Sequence, residues 1–432
     1  MPETLDIPIA PDRATIHPIR EDRPILEPIA KARDRRVVLL AVHHVEVDGR
    51  TYTGGAEKYI QTVIRALLDA GARVHVGYSG TSIYSELLES YHPRQLTVEH
   101  TGWLNPALAG DARLSLSTFL DRRRWLRATR ADTVFAVQQA GGCAFVTSLI
   151  AARSLGFRVV ATLRQSPEPL PAIRRKRTIL GMFGMPGLWH LRKVWQKRLP
   201  ASVCHALIYN SRTVANRYES LYGFPESTGH VIYNGEQGHA QPHASADPPI
   251  RIASVGRVTE AKGADVLLDA FSIVARRYPH ARLTYYGDGD LIPRLARMAN
   301  EQGLIGRVAF AGYVPSRSEI FPTIDICVQP SRRESMSNGV IEAQARGIPC
   351  VVADVGGMRE SVVDGESGYV VPQDDATACA EAICRLMADR ERYTRFSRAA
   401  AARAKSEFDL RDLMLKTINV ILGLESQDHA PK

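Results

Sequence analysis

From Val37 onward the chain alternates short apolar runs with helix-like stretches, and the pattern is played through twice. In the first half the runs are Val37–His43, Val74–Tyr78, Thr133–Val137, Val159–Leu163, Leu207–Tyr209 and His230–Tyr233. A polar, proline-containing link, Gly238–Pro249, follows, and the alternation restarts at Ile250, Arg282, Val308, Ile326, Cys350 and Tyr369. Short apolar runs separated by helical segments specify parallel strands joined by crossover helices, hence an α/β chain with doubly wound sheets. With 432 residues and 45% hydrophobic content, each half can bury a core of its own. Residues 1–35 are rich in Pro, Asp, Glu and Arg without either period, and are expected to form a flexible tail.

Chemistry concentrates in Arg332–Gly347, RRESMSNGVIEAQARG. Val328-Gln329-Pro330 reads as a strand end, and Gly339–Arg346 as a helix stopped by Gly347. Glu334 therefore closes a loop, and Glu342, eight positions on, lies about one turn inside the helix. Carboxylates accept hydrogen bonds from sugar hydroxyls, and free amides at Ser337, Asn338 and Gly339 can face a phosphate. Two glutamates near a helix start also suit the helix dipole with no ligand at all. Three further segments give the motif its weight. Val255–Gly263 places Arg257 and Lys262 in a strand-to-helix loop at the carboxyl edge of a sheet, where open α/β folds bind ligands. A guanidinium fork and an ammonium together neutralise a diphosphate, although an isolated pair is more often solvated. Gly54-Gly55-Ala56-Glu57 precedes a helix and lets backbone approach a ligand or simply turn. Tyr286-Gly287-Asp288-Gly289-Asp290 follows a strand and reads as turn chemistry, not as a metal site.

The order of these pieces, continued by Gly356-Gly357-x-x-Glu360 and Gly365–Tyr369, resembles the retaining glycosyltransferases of family 4 (glycosyl transferases group 1). The resemblance covers about residues 36 to 422 and is most specific from 250 to 375. It implies a GT-B fold, in which two Rossmann-like doubly wound domains face a central cleft. Residues 36–240 would bind the acceptor and 249–408 the nucleotide sugar, with a helix at 409–424 crossing back to the first domain. The implied reaction moves a sugar from a nucleotide diphosphate sugar to a glycan or lipid-linked acceptor with retention, as in surface polysaccharide or glycolipid synthesis. Neither a metal nor a cofactor is implied beyond the donor substrate. Carried over by motif, Glu342 would hold the donor ribose and Glu334 the transferred sugar, while Arg257 and Lys262 hold the diphosphate. Ser337, Asn338, Gly339 and Val340 would supply helix-start amides, and Gly54 with Gly55 the close approach of the first domain. One departure stands out. Where many members have a histidine, this chain reads Ala161-Thr162-Leu163-Arg164-Gln165. Arg164 could bind a donor carboxylate or phosphate, bind the acceptor, or pair with Glu168. His43 and His44 are substitutes for the missing histidine, or packing residues. A non-catalytic nucleotide-sugar binder and a nucleotide-sugar epimerase of the same architecture are the alternative functions.

The net charge is +9, and residues 171–200 carry eight Lys or Arg and no Asp or Glu, interleaved with Trp189 and Trp195. Arg122-Arg123-Arg124-Trp125-Leu126-Arg127 is a second cluster. Such segments suit an anionic membrane surface carrying a lipid-linked acceptor, or else a solvated basic face. Nucleic acid is not expected, since no binding motif accompanies the charge. The six cysteines lack metal spacing and read as reduced core residues. With no signal-peptide pattern and no membrane-length apolar run, the expectation is a cytoplasmic enzyme, peripheral at the inner face of the membrane.

Overall fold

The computed structural model describes residues 24–42, 46–47, 50–51, 55–80, 82–101, 116–138, 143–167, 198–237, 248–314 and 317–424. The chain divides into two compact units, one comprising Arg23–Ile232 with the segment from Arg411 on, the other Tyr233–Leu410. The first contains a seven-stranded parallel sheet. Its order is Leu96–His100, Arg73–Ser79, Arg36–Val42, Thr133–Gln138, Arg158–Leu163, Ala206–Tyr209, Gly229–Val231. The second has six parallel strands, ordered Val308–Gly312, Arg282–Tyr286, Arg251–Val255, Ile326–Gln329, Cys350–Ala353, Gly368–Val371. Both have the doubly wound order, in which the chain winds outward one way from its first strand and then the other. The α/β class expected from the sequence is the one observed.

The strand Leu96–His100 was not anticipated. It is an edge strand in which only Leu96 is buried, so its sequence lacks the apolar run that marks a central parallel strand. Two expected boundaries also move. Residues 24–35, assigned to a flexible tail, pack onto the first unit: Leu26 and Ala32 are buried, and the Ile25 and Ile29 amides donate to Asp69 and to the Ala70 carbonyl. The expected tail therefore does not include residues 24–35, and residues 1–23 lie outside the described residues. The first unit stops at Ile232 rather than 240, because Tyr233 packs edge-on against Phe408 and the Glu236 backbone bonds to Phe408 and Leu410. The helix Leu410–Leu422 ends against the first sheet. Arg158 donates to the Val420 and Ile421 carbonyls and Arg35 to that of Leu422, supplying cations to the helix C-terminus.

In the second sheet the strand order reverses between Arg251–Val255 and Ile326–Gln329. Loops leaving two such strands diverge and open a crevice at their carboxyl ends. Here the loops are 256–263 and 330–337, and they are held together. Gln329 accepts from the Ser254 hydroxyl and donates to the Lys262 carbonyl. Gly263 has φ +65°, and a Cβ there would lie 1.9 Å from the Pro330 carbonyl oxygen, so the two loops touch backbone to backbone. Arg332 adds the charged tie. It makes a bidentate pair with Asp265 (2.7 and 2.9 Å), and donates to Asp374 (2.5 Å) and to the Glu260 carbonyl (2.9 Å). The Arg332 and Arg333 amides both donate to the Ala261 carbonyl, at 3.0 and 3.1 Å. Burial pushes the Asp265 carboxyl up, but the bonds and charge of Arg332 outweigh it and leave the group below its ordinary value.

The cores beneath are apolar. Cys204, Cys327, Cys350, Cys379 and Cys384 are buried and unbridged, and burial raises the Cys204 and Cys379 thiols to about 12. His205, partly exposed, immediately precedes the strand Ala206–Tyr209. Its Nδ1 accepts the Val159 amide at 2.9 Å, which requires a ring unprotonated at that nitrogen. Burial, with Arg153 and Arg158 nearby, lowers its pKa below 6.5.

Two predictions follow from these contacts. Arg332→Ala should destabilise the second unit by about 2 kcal/mol, the order for leaving half-buried carboxylates without their partner, and Arg332→Lys should recover only part because the fork is lost. Urea unfolding checks both. For His205, the native ring binds fewer protons than the unfolded one, so its contribution is present above pH 6.5 and lost as pH falls below it. The fall in melting temperature between pH 7.5 and 5.5 should be smaller in His205→Asn, whose amide oxygen accepts the same bond at any pH.

Candidate functional site

Lys262 and Glu334 come from the two tied loops and form an ion pair in the crevice of the second sheet. Their side chains are 20% and 12% exposed, so the pair is enclosed but reachable. The loop carrying Glu334 is clamped from its far side as well: Gly356, at φ +52°, approaches so closely that a Cβ would sit 1.7 Å from the Glu334 carbonyl, and the Gly357 amide donates to Ser335. Arg257 lies on the Lys262 loop and is exposed; among the described residues its guanidinium has no carboxylate partner. Its backbone is set by the Gly287-Asp288-Gly289 turn, whose Asp288 carbonyl accepts the Val258 amide at 2.9 Å. That turn is spent on backbone contacts, as its sequence suggests.

The helix at the crevice runs Asn338–Gln344, with Ser337 as its N-cap residue in extended conformation. The Ser337 side chain makes no capping bond, while its carbonyl accepts from Ile341 at 3.2 Å. Amides of Asn338, Gly339 and Val340 fall in the first turn, where helix geometry provides no acceptor. The Val340 side chain is fully buried in the core with Val255, Phe321 and Cys327, so only its amide can serve a ligand. Asn338 accepts through Oδ1 from Asn234, a buried residue of the same unit that sequence reasoning did not single out. Glu342 is 2% exposed and offers a ligand an edge at most. Arg346 donates to its carbonyl at 2.9 Å and lies 3.8 Å from Glu236.

In the first unit, Gly55 begins the helix Gly55–Asp69 and is exposed; Gly54, His43 and His44 lie outside the described residues. Arg164 does something that none of the sequence readings contained. Its guanidinium carbon stacks 3.6 Å from the centroid of the Tyr59 ring, and its carbonyl accepts from Asn210. Burial lowers its pKa, and Tyr59 acts in the opposite direction. Glu168 and most of 171–200 lie outside the described residues. In the other basic cluster Arg122 and Leu126 are buried, Trp125 donates to Glu99, and Arg123 sits over Phe119. Only Arg124 and Arg127 remain fully on the surface. No described helix is long and apolar enough to cross a membrane.

Besides Asn234, Arg332, Asp265 and Gln329 are residues at this crevice that were not among the expected site residues. Arg332 and Asp265 lie beside the named motifs, but their partnership depends on a loop 67 positions away in the chain.

Comparison with known proteins gives matches in both halves. A family model described as Glycosyltransferase Family 4 matches residues 53–235, and one described as Glycosyl transferases group 1 matches 249–389. A glycogen synthase of Mycobacterium tuberculosis is 27% identical over 233 residues, 52% of this chain and 56% of that protein. The lipopolysaccharide core biosynthesis glycosyltransferase LpsE of Rhizobium meliloti is 34% identical over 152 residues, 35% of this chain and 43% of that protein. The chain thus spans about half the length of the curated relatives it matches. Anabaena HepE, solved in complex with UDP, shares the fold with a TM-score of 0.68 at 19% identity, over 90% of this chain and all of that one. Two parallel doubly wound sheets, a model match in each half and a shared architecture lead to one conclusion: the chain belongs to the group 1, family 4 glycosyltransferases and has their GT-B fold.

Proposed function

We propose that this chain is a retaining, metal-independent glycosyltransferase that moves a sugar from a nucleotide diphosphate sugar to a glycan or lipid-linked acceptor. Surface polysaccharide or glycolipid synthesis is the process it fits, at the inner face of a membrane. The observation that carries the reading is the meeting of Lys262 and Glu334 from separate loops at the strand reversal, with Arg257 exposed on one of those loops. The names of the relatives, which include a glycogen synthase and a lipopolysaccharide core enzyme, and the UDP bound in the structural neighbour support it.

As the bond between the sugar and the diphosphate breaks, negative charge grows on the leaving group and positive character on the sugar. Arg257 and Lys262 neutralise the first, from a site whose loops are already locked, so little reorganisation is needed at the moment of reaction. Glu334 accepts hydrogen bonds from the sugar hydroxyls and orients the ring. Ser337, Asn338, Gly339 and Val340 bring the helix-start amides toward the sugar phosphate, and Glu342 the ribose contact. Gly54 and Gly55 are donor-binding residues on the family motif alone. For Arg164 the stacking on Tyr59 favours a role in shaping the first unit's sheet edge over direct contact with donor or acceptor.

Glu334→Gln, Lys262→Ala and Arg257→Ala should each lower turnover by about a hundredfold or more, the order for one charge-stabilising group. Near-normal turnover in all three would remove the assignment. A thermal-shift screen of UDP-, GDP- and ADP-sugars in EDTA should single out one donor, since a ligand at 100 times its Kd adds roughly 2.7 kcal/mol to stability. Stabilisation that vanishes in EDTA and returns with a divalent cation would overturn metal independence.

A further inference from the structure

The two cations assigned to the diphosphate are in unlike situations. Arg257 is exposed and, among the described residues, has no carboxylate partner; Lys262 is paired with Glu334, the carboxylate assigned to the sugar. Of the carboxylates near these loops, Asp265 and Asp374 are committed to Arg332 and Asp354 to Arg359, while Glu260, on the Lys262 loop, is exposed to solvent. Arg332 thereby leaves Lys262 to Glu334, while its ties to the 260–262 segment hold the two loops in register.

We propose that Glu334 is a built-in competitor for Lys262, and that their pair makes the site prefer a nucleotide sugar to the bare nucleoside diphosphate. The inference rests on the donor-site reading above. When a nucleotide sugar enters, Lys262 exchanges a carboxylate oxygen for a phosphate oxygen, and Glu334 exchanges an ammonium for sugar hydroxyls. The number of charge-assisted bonds is kept. When a nucleoside diphosphate enters alone, Lys262 is again satisfied, but Glu334, with a side chain only 12% exposed, loses its donor and gains none. An enclosed carboxylate without a partner is costly, so the bare diphosphate binds against that cost. After transfer the sugar has left, Glu334 recaptures Lys262, and the pair helps expel the product. Glu334 is in this sense a specificity-determining residue as well as a sugar contact.

The two roles predict effects of opposite sign. Calorimetric titrations would use UDP and UDP-glucose, with GDP and GDP-mannose in parallel, on wild type, Glu334→Gln, Glu334→Ala and Lys262→Ala. Melting curves would show that each variant is folded, and the two Glu334 replacements guard against a defect peculiar to one of them. In Glu334→Gln and Glu334→Ala the nucleoside diphosphate should bind about threefold to tenfold more tightly, the scale of releasing one partly enclosed ion pair. The sugar nucleotide should bind no better than to wild type, so the preference between the two narrows. Unchanged or weaker diphosphate binding in both Glu334 variants would overturn the competition while leaving the site intact, provided Lys262→Ala loses diphosphate binding. Lys262→Ala binding the diphosphate as tightly as wild type, or none of the four ligands binding wild type, would overturn the donor-site reading and this inference with it.

Discussion

The bidentate contact between Arg332 and Asp265 joins two loops that leave neighbouring strands in divergent directions. At a strand reversal the sheet provides a crevice but no force to hold its two lips at a working distance. Here the lips are closed by a fork-to-carboxylate pair, by Gln329 bridging to the Lys262 carbonyl, and by Gly263 lying against the Pro330 backbone. These contacts tie the 330–337 loop and the strand end before it to the 256–263 loop and the helix start after it, so none survives if one side moves independently. The position of Lys262 relative to Glu334 depends on them all.

Electrostatics in the crevice is arranged by how charges are partitioned. One arginine satisfies two aspartates, one lysine faces one glutamate, and a second arginine stays exposed. A surface with the same charges scattered would bind anions weakly and without preference. Committing the aspartates to Arg332 leaves the cationic character of the crevice with Arg257 and Lys262, beside the enclosed carboxylate of Glu334. A ligand that is anionic at one end and hydroxylated at the other fits that division.

Much of this was legible in the chain. Parallel strands buried on both faces appear as apolar runs, so the second half's strands could be placed within a residue or two. The placement of Arg257, Lys262 and Glu334 in loops at strand ends, and of Glu342 inside the next helix, was legible because those segments carry short, local patterns. The edge strand Leu96–His100 was not, since one buried residue leaves no pattern to read. The packing of residues 24–35 was missed for a related reason: their anchors are two buried side chains and a few backbone bonds, invisible beside a proline-rich, charged composition. Arg164 shows the limit most plainly. Its place after a strand left donor contact, acceptor contact and pairing with Glu168 equally open, and none of these included its stacking on the Tyr59 ring, more than a hundred positions earlier.

By itself the sequence determined the α/β class, the two-fold repetition of the doubly wound pattern and the identity of the charged groups at the loop ends. Those follow from periodicity and local composition, which act over a few residues. Only the tertiary structure decided which charge meets which: Lys262 with Glu334, Arg332 with Asp265 and Asp374, Asn338 with Asn234. Pairing is a matter of distances between segments far apart in the chain, and those distances are set by the order in which the strands are laid down and by the backbone contacts that lock their loops. Local sequence carries the charges, but the sheet's reversal brings them within reach of one another.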